Sequence, residues 1–273
     1  MQRPAFFVYL AILIIVFGVF ILQSTELARY VWSHHKNANL ALIFNRTDAG
    51  LAMELGNFYF GGQNFSGTSG VYAVKKAKIA YQTAVRLDDR ILWGHYQLSR
   101  VYFVEGNFEK ALFEINRELE VNPGNLRSLY VRGLIYGFRR APGDLELAEA
   151  DFRNFIEWVP TEWAGYNDLN WVLLEQERYK EVKDVSLEAF RSVPDGSKNA
   201  WILTSLGVAH LNLREYDKAQ DILTRASEAS EELTEADWHK AYSANDPRSA
   251  ESGLLMFKQG IQRNLAIAKS HIQ

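Results

Sequence analysis

Residues 92–123, LWGHYQLSRVYFVEGNFEKALFEINRELEVNP, carry the pattern that decides the fold. Leu98, Tyr102, Phe108, Ala111 and Ile115 occur there in an order repeated by Leu206, His210, Tyr216, Ala219 and Leu223. Similar chemistry stands at the same offsets, and the apolar steps along most of the chain are helical rather than alternating. The part beyond the first two dozen residues is therefore expected to be all-helical. Prolines give an independent ruler, with 37 residues from Pro123 to Pro160 and 34 from Pro160 to Pro194. Each proline can stop a helix, because it lacks an N–H and clashes with the preceding turn.

This period, with small and aromatic residues at fixed places inside it, resembles the tetratricopeptide repeat family, whose unit is a 34-residue helix-turn-helix. Five units are expected within residues 49–233, beginning near Ala49, Leu92, Leu126, Trp163 and Ala200. The resemblance implies an all-α superhelix, an α-solenoid of helix pairs. Small residues, Gly56, Gly133 and Gly207 on first helices and Ala77, Ala111, Ala148 and Ala219 on second ones, allow close approach. Tyr81, Phe152 and Leu223 fill the space beside them. Two insertions interrupt the register at turns between paired helices, one at Gly61 to Gly70 and one near Ala141-Pro142-Gly143. The fourth unit departs furthest, with Asn170 where a small residue belongs and Ser186 where an aromatic does. Residues 234–273 are expected to form capping helices. Asp246-Pro247 reads as an N-cap with proline in the first turn of a final helix of about 20 residues.

The chain starts differently. Residues 5–22, AFFVYLAILIIVFGVFIL, contain no charge and would span about 27 Å as a helix, close to the hydrocarbon thickness of a bilayer. A cleaved secretory signal usually has a shorter apolar core and small residues at its cleavage site. Neither feature fits here, so residues 1–23 are expected to be an uncleaved transmembrane anchor and 24–48 a juxtamembrane helical segment. Arg3 and the amino terminus face Arg29 and Lys36 across the run, a weak bias that places the N-terminus in the cytoplasm and the bulk of the chain outside it.

Composition excludes some functions. Thirty Lys and Arg against 33 Asp and Glu give a net charge of −3, so no global basic field attracts nucleic acid. Without cysteine there is no disulfide, thiolate nucleophile or cysteine metal site. Gly62 to Ser69 has the GxxxxG spacing and trailing hydroxyl of a phosphate-binding loop, but Thr68 replaces the lysine and a helix replaces the strand. An inserted turn is the better reading. His34 and His35 are adjacent, while His95, His210, His239 and His271 are scattered without ligand spacing; His95 and His210 are expected to pack. No catalytic residue, cofactor site or metal site is nominated.

The resemblance further implies that first helices line a concave groove through the second, fifth, ninth and twelfth positions of each unit. Carried onto this sequence, the partner-binding residues are Asn57 and Phe60, then Trp93, Tyr96, Arg100 and Phe103, then Arg127 and Tyr130, Asn167 and Trp171, and Trp201 and Thr204. Rigid rings and arginine are enriched at binding hot spots. Some of these rings are expected to pack between repeats instead. Relatives that hold a C-terminal carboxylate use Lys, Asn and Arg in the groove. Asn57 suits such a clamp, whereas Met53, Val131, Ala164 and Asp168 do not; Arg100 and Arg127 are left as candidates for an anionic group. The expected function is a membrane-anchored, non-catalytic scaffold for a peptide or protein. The alternative is a structural or assembly subunit of a membrane complex, using convex or cap surfaces.

Overall fold

The structure, a computed structural model, describes residues 3–61, 70–242 and 245–272. The described residues form helices and turns, with a single isolated antiparallel bridge between Phe60 and Tyr72. In chain order the helices are α1 (Arg3–His35), α2 (Ala38–Phe44), α3 (Ala49–Tyr59), α4 (Val74–Leu87), α5 (Gly94–Val104), α6 (Phe108–Val121) and α7 (Arg127–Arg139). There follow α8 (Asp144–Trp158), α9 (Trp163–Glu175), α10 (Tyr179–Ser192), α11 (Ala200–Asn212), α12 (Tyr216–Glu231), α13 (Glu235–Ala241) and α14 (Ala250–Ser270). The chain divides into two compact units, residues 1–101 and 102–273.

In the first unit, α1 changes character along its length. Side chains along residues 9–20 are almost all exposed, while Ser24, Thr25, Ala28 and Trp32 are buried. That second half packs on α2, where Ala38 and Ala41 are also buried. The Arg46 N–H donates to Thr25 Oγ1 at 3.2 Å, and Arg29 pairs with Asp48 at 2.8 Å. Asp48 also caps α3, accepting from the Leu51 N–H. Helices α3 and α4 pair through Gly56, where a Cβ would stand 2.4 Å from the Tyr81 ring. Glycine is required there for space, not for conformation. The glycine-rich stretch with the phosphate-loop spacing, residues 62–69, lies outside the described residues. Its flanks are tied together, since the Gly61 N–H donates to Val71 O at 3.0 Å and the Ala73 N–H to Tyr59 O at 2.7 Å.

In the second unit, consecutive helices pack in chain order from α6 to α12. Gly133 faces the Phe152 ring and Gly207 faces Leu223, with a Cβ at 2.8 and 2.6 Å respectively. The divergent pair α9–α10 solves the same problem in reverse. A larger Asn170 opposes a smaller Ser186, and Asn170 Nδ2 donates to Ser186 Oγ at 2.9 Å inside the core. The amide nitrogen is thereby engaged, while Asn170 Oδ1 is buried without a hydrogen-bond partner among the described residues.

Turns inside helix pairs repeat one device. Gly106, Glu177 and Arg214 have φ of 72°, 57° and 59°. The next N–H reaches back to close a six-residue loop: Asn107 to Tyr102 O, Arg178 to Leu173 O and Glu215 to His210 O, each at 2.9 Å. Such a left-handed stop satisfies carbonyls left open at a helix end. After α12, Thr234 forms a capping box with Asp237 at the start of α13. Asp246 caps a single 3-10 turn, Pro247–Ser249, and α14 begins only at Ala250. Proline at that position tightens the entry rather than starting the α-helix directly. Helix α14 lays Ile261, Leu265 and Ala268 against α12.

Candidate functional site

First helices supply the residues that the sequence nominated, and each unit gathers its own set. In the first unit, Asn57, Phe60, Tyr96 and Arg100 converge from α3 and α5. The Arg100 guanidinium lies 5.2 Å from the Phe60 ring centre and 5.8 Å from that of Tyr96. Arg100 Nη1 also donates to Gln97 Oε1 at 2.9 Å. Asn57 Oδ1 accepts from the Tyr81 hydroxyl at 2.8 Å and from Gln97 Nε2 at 3.4 Å. Trp93 stands edge-on to Tyr96 at 4.9 Å, from a left-handed backbone with φ of 70°. Phe60 is buried and stacked on Tyr72, so it supports the arginine instead of offering a free face. The Tyr81 phenol is pushed up mainly by burial and stays neutral as a donor.

In the second unit, nominated residues mark where successive first helices touch. Phe103 on α5 meets Phe138 on α7 at 5.3 Å, and Phe138 meets Trp171 on α9 at 5.1 Å. Trp171 also covers Gly137, where a Cβ would stand 2.6 Å from its ring. Trp163 on α9 stacks on Trp201 of α11 at 4.7 Å. Phe257 of α14 stacks on the same Trp201 at 5.5 Å, and Trp238 of α13 lies 6.4 Å away. Trp201 is therefore only 7% exposed, covered by the chain's own C-terminal helices. The Thr204 hydroxyl donates to the Ala200 carbonyl at 2.6 Å and is thereby engaged within its own helix. Arg127 remains half-exposed, with Glu162 at 3.7 Å.

The polar centre of this unit is a residue that the repeat pattern does not nominate. Asp168 on α9 accepts from the Tyr130 hydroxyl of α7 at 2.6 Å, and from Asn167 Nδ2 at 2.9 Å. Burial pushes its carboxyl up to about 6, while those two hydrogen bonds pull the other way. Tyr242, at the end of α13, is raised to about 12 by burial and then by the Asp168 charge. In the sequence Asp168 stands out only as a misfit in a carboxylate clamp. The signal that could have found it is an acid at an inner position of a first helix, next to Asn167. Phe138, Trp163, Trp238 and Tyr242 escape sequence reasoning because they stand outside the repeat positions carried over from the family, or beyond the last repeat.

Other charged groups brace the scaffold. Arg132 holds Asp151 with two bonds of 2.8 and 2.7 Å, and Arg139 holds Asp144 at 2.9 and 2.8 Å. Glu215 is held down to about 2 by Lys183 first and His210 second. His210 is buried at that contact, in line with packing. No group of three or more His, Cys, Asp or Glu capable of holding a metal occurs among the described residues.

No protein-family model matches the sequence, and no curated protein matches it either. Solved structures do match in shape. One is a tetratricopeptide repeat protein from Parabacteroides merdae, with a TM-score of 0.54, 16% identity, and coverage of 92% of this chain and 100% of that one. Another is YrrB, described as a TPR protein with an unusual peptide-binding site, with a TM-score of 0.53, 17% identity, and coverage of 72% and 93%. The MamA protein follows with a TM-score of 0.50, 15% identity, and coverage of 59% and 87%. At such identities the likeness establishes the fold alone. The class is an all-α, tetratricopeptide-like helical repeat, preceded by one apolar helix long enough to cross a membrane by length and composition.

Proposed function

We propose that this chain is a single-pass membrane protein whose helical repeats form a non-catalytic scaffold for a peptide or protein segment, bound along the first-helix faces. The observation that supports this most is Arg100, held over two aromatic rings in the first unit. A guanidinium fixed in this way loses little side-chain freedom on binding, and desolvated arginine and aromatic groups dominate interface energies. YrrB, similar in fold, is described as carrying a peptide-binding site. The scaffold reading accounts for an ordered aromatic surface without assigning it a reaction. Anchoring by residues 5–22, with the repeats outside the cytoplasm, would confine the encounter to the membrane surface.

The test is peptide display against the full chain in lipid nanodiscs. The wild type is expected to enrich a defined set of peptides. Tyr96→Ala with Arg100→Ala should cut that enrichment at least tenfold while the helical circular dichroism stays unchanged. Equal enrichment by the folded double variant counts against binding at this face.

A further inference from the structure

We propose that Asp168, set among Tyr130, Trp201 and Tyr242, anchors a positively charged side chain, Lys or Arg, of the bound peptide. The inference rests on the peptide-binding reading and adds the chemistry that one position of the peptide must carry.

The pairing of buried charges leads to it. The buried carboxylates Asp151 and Asp144 each have a guanidinium bound through two hydrogen bonds, from Arg132 and Arg139. Asp168 has none: its partners are the neutral Tyr130 hydroxyl and the Asn167 amide, and it forms no ion pair among the described residues. A carboxylate sheltered from water without a countercharge is costly, and a cation brought to it gains more than it would at an open surface. Asp168 keeps some exposure, so a side chain can approach from solvent.

Trp201 Nε1 is buried against the Tyr242 hydroxyl, so the indole walls this side of Asp168 and is closed to a ligand. A half-exposed acceptor without a cation fits a peptide whose charged side chain meets Asp168. The partly exposed Tyr130 ring beside Asp168 suits the aliphatic stem of Lys or the plane of Arg.

Peptide display decides it, on the full chain in nanodiscs with wild type, Asp168→Asn and Asp168→Lys compared. Asp168→Asn keeps the shape and an oxygen for Tyr130. The wild type is expected to enrich Lys or Arg at one fixed position. Asp168→Asn should lower that enrichment about tenfold or more, as the loss of a charge-assisted hydrogen bond implies. Asp168→Lys should exchange the preference for Asp or Glu. Peptides enriched without a cationic position, or with the same cationic position in Asp168→Asn, overturn the assignment while leaving the scaffold reading intact. Failure of every variant to enrich any peptide overturns both. Should Asp168→Lys fail to fold by circular dichroism, the Asp168→Asn comparison is decisive by itself.

Discussion

Single residues reveal where this sequence is readable. Gly56, Gly133 and Gly207 are expected to admit a neighbouring helix, and Tyr81, Phe152 and Leu223 stand within 3 Å of where their Cβ atoms would lie. A small-large pair is legible because both members belong to one short-range pattern. Gly133→Ala should therefore destabilise the chain by about 1–3 kcal/mol in urea titration, through overpacking against Phe152. Phe152→Leu in the same chain should recover part of the loss. Asp168 is not legible in this way, since its environment comes from α7, α9 and the end of α13, which are distant in sequence. Its carboxyl is raised above the ordinary value, so the folded state takes up the proton first and stability falls as pH rises from about 4 towards 6. Asp168→Asn should remove that slope from a plot of melting temperature against pH. Asp168 is faced by the Tyr130 phenol, which donates to it, and by Tyr242, whose phenol is raised to about 12 and stays neutral in this range. Binding of a lysine-containing peptide should accordingly strengthen between pH 5 and 7, as the carboxylate ionises, and Asp168→Asn should abolish the trend.

At the scale of elements, helix pairing is written in the repeat itself, but the turns are not. A left-handed residue sits at the stop of α5, α9 and α11, yet only Gly106 announces it by composition; Glu177 and Arg214 adopt the same φ with side chains that disfavour it. Arg214→Gly should raise stability by up to about 1 kcal/mol in thermal melts, because the relief of strain outweighs glycine's extra chain entropy where φ is positive. The fourth pair looks anomalous in sequence for a similar reason. Asn170 and Ser186 are each a poor match singly, and only as a hydrogen-bonded pair do they restore the packing that glycine and an aromatic provide elsewhere. Across α10, α11 and α12, Glu215 joins Lys183 and His210. Its carboxyl is depressed to about 2, so its contribution is complete above about 4.5 and disappears as pH falls towards 2. Glu215 is about one-third exposed, so screening keeps the effect below about 1 kcal/mol. Glu215→Gln should flatten the acid side of the stability curve by lowering its neutral plateau by that small amount.

For the whole molecule, the apolar start and the helical repeats are joined by α1, and that continuity makes the anchoring hypothesis separable from folding. Side chains along residues 9–20 are almost all exposed, whereas Thr25, Ala28 and Trp32 are built into the packing with α2 and the segment after it. An exposed apolar surface of this length is unfavourable in water and favourable in hydrocarbon. The boundary between the two halves lies near Gln23, where the first buried side chains, Ser24 and Thr25, begin. Deleting residues 3–22 should therefore shift the chain from the membrane pellet to the supernatant after an alkaline carbonate wash, with its melting temperature unchanged. A deletion extended to Trp32 should instead lower the melting temperature, since it removes Thr25, Ala28 and Trp32 from the interior. The side of the membrane is proposed from the few flanking charges and is tested independently. Protease added to intact cells should remove a C-terminal tag if the repeats lie outside the cytoplasm. A tag protected until the cells are lysed would place them inside, while the binding chemistry assigned to Arg100 and Asp168 would stand unchanged.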